Sequence, residues 1–585
     1  ERVIIHKGTY RETVYPANSG LSSTRMIGYF AAEGEEVIVK GSEIWKPDWK
    51  TEDDFDKNII YSAKIPDFLI NSEFVKLNHN QDPGKYNFGF SSNCTDGFNL
   101  KRGQLFMNGK RLNQVLRKEE LTENSFCISD NMVFISLPKN TDIKGAVFEA
   151  SCREQLFTPK NKFSEYIIVS GIKFLHCANG AFVPTPQKGA VSTFLGNHII
   201  IENCEIGHAN ATGCDIGGQW WEMAENQPLG NNIVRNCHIY DCGITGICGW
   251  HAGCNQNILV ENNLIENIGY LPIFDHCEIA GVKLHRVMGS IVRKNIIRNI
   301  ENGPGLWFDG WAANSRVTQN LIYNCDDRTF GSVFMEISGG PILIDNNILL
   351  NTSINGIHAT DADKLYIIQN IIGNAKTGTL LDIYQGDIVR FNPPALVFED
   401  EHFIAGNILC GGVRYTTTAT KYSVIDYNLF GGLLPIPPKG EGDGKDNNEL
   451  SGSYESQPFL MQSVQVPENN GKYDFVSWQK KGFDRNSTVC DMKIDFDEDN
   501  LTIAINCDKP ELSGMTMDLN GVLVNNQSFA YEFIQNDFLG NTRLKKREPI
   551  PEEYIIGVPY SREMALGPIN GMKFDGTVYN IDPRK

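Results

Sequence analysis

An all-β chain wound as a right-handed parallel β-helix, with an inserted β-sandwich domain, is predicted by three features of this sequence. A short phrase recurs from residue 199 to about 430: an apolar pair, one or two polar residues, an Asn, then another apolar pair. It reads IIENCEI, VRNCHI, VENNLI, VRKNII, VTQNLI, LIDNNIL, IIQNII, IAGNIL and VIDYNLF. Aligned, these phrases place Cys204, Cys237, Asn263, Asn295, Asn320, Asn347, Asn370, Asn407 and Asn428 in one column, at irregular intervals of 21 to 37 residues. Such intervals suit stacked coils with variable loops better than tetratricopeptide or ankyrin repeats, whose periods are tighter and whose helices are Ala/Leu-rich. The third feature is an interruption, residues 43–160, where the phrase is absent and aromatic strands alternate with turns.

Taken in order, residues 1–42 read as strands of the first coils, because VIIHKGTY, RMIGYFAA and EVIVKGSE alternate apolar and polar side chains. Residues 43–160 hold KYNFGF, GQLFMNGKRL and MVFISLP and read as the inserted sandwich. Coils resume at YIIVSGIKFLHC, so that 161–435 form the β-helix. Inward Ile, Val and Leu supply its core. Asn suits its turns because the side-chain amide bonds to backbone and to the next Asn, and because Asn tolerates left-handed angles. Residues 436–585 begin with a Pro-, Gly- and charge-rich linker, PIPPKGEGDGKDNNELSGSYESQ, and continue as a segment expected to pack along the β-helix.

The column locates a pair of acids. Asp309 precedes Asn320 by 11 residues and Glu336 precedes Asn347 by 11. Strand alternation turns Phe308 and Met335 inward and both acids outward. The carboxylates are therefore expected on one face in adjacent coils, about 4.8 Å apart at Cα. A retaining glycosidase holds its two carboxylates about 5–5.5 Å apart, against roughly 6.5–9.5 Å for an inverting one. Repulsion between them is expected to raise one pKa and so separate acid from nucleophile. Two outward acids are ordinarily solvated surface groups; here their neighbours argue otherwise. Similar counting continues the acid column with His285 one coil earlier and His358 one coil later, 10 and 12 residues before their own Asn, beside a second column of Lys283, Trp307 and Phe334. Aromatic rings beside polar hooks form a platform for a sugar. Trp220, Trp221, Trp250 and His251 lie on earlier coils as candidate pocket walls or buried anchors, and Glu222 as a third carboxylate at no fixed distance.

The stretch GPGLWFDGWAANSRVTQNLIYNC followed by FMEISGGPILIDNNILL resembles the catalytic segment of glycoside hydrolase family 120, the β-xylosidases. VIIHKGTYRETVYPANSG, EVIVKGSE, GQLFMNGKRLNQV and the closing DFLGNTR also read like signatures of that family, so the resemblance extends over most of the chain. It implies a retaining mechanism with Asp309 as nucleophile and Glu336 as acid/base. The EIAGVKLH segment is similar to a sugar-binding strand of the family and implies Glu278 and His285 near the glycone. Gln187 in AFVPTPQK matches a family position whose neighbouring Trp and Glu are lost here. Gly310 stands where the family has a Trp, with Trp311 displaced by one residue as its substitute, and Gly339 stands where the family has a His. These departures bear on glycone preference and on the leaving-group side.

Composition narrows the class of partner. A net charge of −18 over 585 residues, with no basic stripe, argues against nucleic acid and favours a neutral oligosaccharide. No run of 18 apolar residues predicts a membrane span. Fifteen cysteines without zinc-ligand spacing read mostly as reduced, buried hydrophobes, which favours a reducing compartment, although ERVIIHKGTY leaves the native start and the compartment open. No cofactor is required. DFDEDN offers oxygen ligands to Ca²⁺ but lacks EF-hand spacing, so an acidic turn is expected. Homo-oligomerisation is left open. The rival readings are a β-helix polysaccharide lyase, with Lys283 as base and Ca²⁺ on an acidic sugar, and a non-catalytic carbohydrate-binding adhesin.

Overall fold

The computed structural model describes all residues except 56, 76, 79–99, 102, 181–187, 218–228, 250–254, 272–277, 327–329, 376–378, 385–400, 418–421, 434–457, 462–466, 515, 518–536, 542–563 and 566. The fold is a right-handed parallel β-helix. The chain divides into two compact units, Glu1–Ala252 with Asn267–Ile279, and Gly253–Glu266 with Ala280–Lys585.

In the first unit, one parallel face runs from Arg2–Ile5 through Ile27–Ala31, Ile167–Ser170 and Ile200–Glu202 to Ile233–Arg235. Between Val37–Lys40 and Ile167–Ser170 the chain leaves the coil. It forms a four-stranded sheet, Lys110–Arg111, Leu105–Met107, Phe148–Ser151 and Ser42–Trp45, and a five-stranded sheet containing Asn58–Lys64 and Met132–Pro138. Trp45, Leu105 and Phe148 of the first share a buried core with Tyr61, Phe126, Val133 and Ile135 of the second. Alternation sends the intervening Phe106 the other way, stacked on His176 at 3.7 Å. Glu149, also on that side, accepts from Lys40 Nζ at 2.9 Å and Ser42 Oγ at 2.6 Å.

The second unit carries the asparagine column. Asn263, Asn295, Asn320, Asn347, Asn370, Asn407 and Asn428 are buried at 0% exposure and bonded in series. Each Oδ1 from Asn295 onward accepts both the backbone N–H and the Nδ2–H of the Asn one coil earlier, at 2.9–3.1 Å. The second amide hydrogen goes to a backbone carbonyl, as Asn347 Nδ2 does to Val317 O at 2.9 Å. Four bonds on one buried side chain meet the full donor and acceptor capacity that burial demands. The left-handed residue of the corner is the one before each ladder Asn: Asn262, Lys294, Gln319, Asn346, Gln369, Gly406 and Tyr427 all have φ of 54–69°. In the first unit Cys204 and Cys237 occupy the same place, and their thiols reach Val169 O and Ile201 O at 3.9 and 3.7 Å, a weaker version of the same link.

The C-terminal chain covers one face of these coils. An antiparallel sheet of Met492–Asp497, Thr502–Cys507 and Asp575–Asn580 places Met492, Ile494, Ile503 and Ile505 in one core with Leu321, Ile348, Ile371 and Ile408. The acidic turn of its hairpin is a structural element. Asp497 accepts from the backbone amides of Asp499 and Asn500, while Glu498 accepts from Asn324 and Asn351, both at 2.9 Å. A short helix, Phe475–Lys481, is capped by Asp474 and ended by Gly482 at φ 109°, the left-handed stop that favours glycine.

That helix sits where the ladder terminates. Asp484 is fully buried and accepts from Asn428 Nδ2 at 3.0 Å, Trp478 Nε1 at 2.8 Å and Ser487 Oγ at 2.5 Å. Burial pushes its carboxyl up to about 6 against the ordinary 3.8, and the three donors only partly oppose this. The folded state therefore holds the proton more tightly than the unfolded chain. The stability this confers is present below about pH 4 and lost as pH rises through about 6. Measured by denaturation, wild type should lose about 3 kcal/mol relative to Asp484→Asn between pH 4 and 7. A difference that stays constant with pH would contradict this.

Candidate active site

Four strands of the second unit form the face that holds the acids: Ala280–His285, Leu306–Asp309, Val333–Ser338 and Ile357–Ala362. They are parallel and in register, with His285 beside Asp309, Asp309 beside Glu336 and Glu336 beside Thr360. Phe308 and Met335 are fully buried, while Asp309 and Glu336 are half-buried on the outward side. The two acids thus project from neighbouring strands whose backbones stand one parallel spacing apart, about 4.8 Å.

The partner column is Lys283, Trp307, Phe334 and His358. His358 therefore does not continue the acid column, as counting from the Asn predicted; Thr360 does. The turn after Glu336 contains one more residue than the turn after Thr360, so the register partner of Glu336 stands 10 residues before Asn370, not 12. His358 is buried at 2% exposure and packs its ring 5.0 Å from Phe334, with Nε2 3.0 Å from Thr360 Oγ1. It belongs to the wall of the site.

Two side-chain nitrogens converge on the first acid. Lys283 Nζ and His285 Nδ1 each lie 3.3 Å from Asp309 Oδ2. Lys283 is 1% exposed, and its ammonium stands 3.1 Å from the centroid of the Trp307 ring. A buried ammonium needs compensation; here a carboxylate and an aromatic face supply it. Behind Trp307, Phe334 lies at 4.9 Å and Phe330 at 5.6 Å, and those two rings stack on each other at 4.3 Å. Trp307 is 6% exposed, and among the described residues its indole N–H has no hydrogen-bond partner.

A tight corner follows each residue of the acid column. Arg286, Gly310, Ile337 and Asp361 all have left-handed φ, between 48 and 62°. For Ile337, whose branched Cβ disfavours that region, the conformation costs on the order of 1–3 kcal/mol. Gly310 adopts it without strain. Trp311, next to it, has φ 73° and is 40% exposed at the rim of the face. A Cβ added at Gly339 would meet nothing within 4 Å, which leaves the space beyond Glu336 open.

Glu278 belongs to the first unit, buried at 5% exposure, with its carbonyl accepting from Thr245 Oγ1 at 2.6 Å. Gln187, Trp220, Trp221, Glu222, Trp250 and His251 lie outside the described residues. Sequence reasoning missed Thr360, Phe330, and a buried ion pair in the same two coils as the acids. Arg316 Nε and Nη2 donate to Asp345 at 2.7 and 2.5 Å, and Thr318 Oγ1 and Asn346 Nδ2 donate to the same carboxylate at 3.1 and 2.7 Å. A charged residue of each sign in the matching strands of consecutive repeats, NSRVT and PILID, was the available signal.

Residues 161–372 match the family described as right handed beta helix region. No curated protein matches the sequence. Among solved structures, that of XylC in complex with xylose is similar with a TM-score of 0.69 at 20% identity, covering 99% of this chain and 94% of that one. A protein described as a glycoside hydrolase gives 0.44 at 13% identity, covering 73% and 89%. The A-module of the mannuronan C-5 epimerase AlgE6 of Azotobacter vinelandii gives 0.35 at 14% identity, covering 48% and 72%. The XylC likeness shows a shared fold.

The aromatic wall gives a direct prediction. Phe334→Ala should destabilise the protein by about 3–5 kcal/mol, because the cavity would undercut Trp307 and His358 together. Chemical denaturation checks this, and a loss below about 1 kcal/mol would mean that the wall collapses without cost.

Proposed function

We propose that this protein is a retaining exo-glycosidase of β-helix fold that hydrolyses β-xylosides, releasing non-reducing-end xylose from xylo-oligosaccharides. The observation that carries the reading is the register pairing of Asp309 with Glu336. Backbones one strand spacing apart, about 4.8 Å, support the shorter carboxylate separation that retaining enzymes use. The resemblance of the GLWFDGW and FMEISGG segments to glycoside hydrolase family 120 supports the substrate class, as does the likeness in fold to XylC, which was solved with xylose.

In the first step an Asp309 oxygen attacks the anomeric carbon as the bond to the leaving oxygen breaks, and Glu336 gives that oxygen its proton. In the second, the Glu336 carboxylate takes a proton from water as the water attacks the anomeric carbon and the bond to Asp309 breaks. Lys283 and His285 both hold Oδ2 of Asp309, so Oδ1 is the oxygen presented to the sugar. Trp307 packs between Lys283 and Phe334 as the buried wall that keeps the ammonium beside Asp309. Trp311 at the rim and the open space at Gly339 favour tolerance on the leaving-group side. The chemistry requires no cofactor. A lyase would need Lys283 as a base; its ammonium is instead engaged by Asp309 and Trp307.

Incubation with a panel of nitrophenyl glycosides, followed by NMR of the first anomer released, tests the proposal. β-Xyloside cleavage with retained configuration is expected, and Asp309→Asn should lower kcat by several orders of magnitude. Inverted product, or equal turnover by the variant, would overturn the assignment.

A further inference from the structure

Away from the acids, the C-terminal sheet brings together two cysteines that are 17 residues apart in sequence. Cys490 ends the Thr488–Cys490 strand, which pairs in parallel with Leu429–Gly431 of the coil. Cys507 ends the Thr502–Cys507 strand, opposite Met492 in the antiparallel sheet. The two Sγ atoms and a carboxylate oxygen of Asp508 all lie within 4.8 Å of one another, and among the described residues no other group of three metal-ligating side chains converges in this way. The backbone fixes the arrangement from both sides: Asp491 N donates to Asp508 Oδ1 at 2.8 Å, and Asp508 N donates to Asp491 O at 3.0 Å. Lys509 N approaches Cys507 Sγ at 3.4 Å, a contact that supports a thiolate there. Cys490 is 5% exposed, whereas Cys507 is partly exposed and Asp508 exposed, so the site opens on one side to solvent.

We propose that Cys490, Cys507 and Asp508 form a binding site for a thiophilic divalent cation such as Zn²⁺. Two sulfurs and one carboxylate oxygen are three of the four ligands of a tetrahedral zinc centre, and a solvent water supplies the fourth through the open side. Ligand atoms around Zn²⁺ stand at about 2.0–2.3 Å from the metal, so small rotations of the three side chains close the cluster onto it. On binding, each thiol loses its proton to solvent, two protons leave per metal, and the bound centre carries a net charge of −1. Because the metal displaces these protons, uptake strengthens as pH rises. The metal would join the last coil strand to the sheet that covers the coils. It is a structural clip, separate from the acid pair and independent of the glycosidase reading.

The test uses the reduced, full-length protein, titrated with Zn²⁺ and, for a spectroscopic signature, with Co²⁺. One equivalent should bind with a thiolate-to-cobalt absorption band, affinity should rise up to about 100-fold per pH unit while both thiols are protonated, and the thermal midpoint should rise with Zn²⁺. Cys507→Ser should abolish the high-affinity equivalent, and Asp508→Asn should weaken it by about tenfold or more while leaving the metal-free protein folded. Cys214 and Cys237, buried elsewhere, serve as controls: their Ser variants should bind like wild type. Unchanged binding by Cys507→Ser, no high-affinity equivalent in wild type, or a Cys490–Cys507 disulfide in protein isolated without reductant would each overturn the proposal.

Discussion

The buried asparagine ladder is the constraint on which the rest of this structure depends. In the second unit seven Asn side chains, each without exposure, hand a hydrogen-bonded amide from coil to coil. A buried amide left unpaired costs about 1–3 kcal/mol per group, so a slip of one residue in any coil would break several bonds at once. The ladder therefore sets the register of the corner, and the corner sets the register of the strands that leave it. Loops of different length can then be inserted between coils without disturbing the faces. Asn320 and Asn347 are partners, and since the turns after Asp309 and Glu336 are equal in length, the two acids are partners as well.

On the face built on that frame, Asp309 meets Lys283 and His285, both at 3.3 Å, and Glu336 stands in register between Asp309 and Thr360. Two nitrogen partners at 3.3 Å hold Oδ2 of Asp309 in place. A left-handed corner residue follows each member of the acid column, and at Ile337 and Asp361 the strands continue past it to pair Ser338 with Ala362. Ile337 adopts that corner despite its branched side chain, a local strain that surrounding bonds over-determine.

Much of this was legible in the sequence, and the reasons are specific. The Asn column made coil boundaries countable, and outward alternation then placed Asp309 and Glu336 together. Counting failed at His358, because the corner after Thr360 is one residue shorter and nothing in the apolar pattern marks turn length. The Arg316–Asp345 pair escaped notice because a charge in a strand ordinarily reads as solvated, and its burial depends on what the chain lays over it. Asp537, whose backbone carbonyl accepts from Gln319 Nε2 at 2.7 Å, shows that distant C-terminal chain docks on this same side of the coils. Cys490 and Cys507 have no zinc-motif spacing; antiparallel pairing of two strands, not sequence proximity, brings them near each other. DFDEDN, in contrast, is used by the turn itself and by Glu498 binding to the coil asparagines.

The most direct test of the adjacent-coil carboxylate pair is to trap the glycosyl-enzyme with a 2-deoxy-2-fluoro-β-xyloside bearing a good leaving group and to locate the label by peptide mass spectrometry. The account predicts one sugar per chain, esterified to Asp309. A label on Glu336 or another residue, or turnover of the matching β-xyloside with no trapped intermediate, would contradict it.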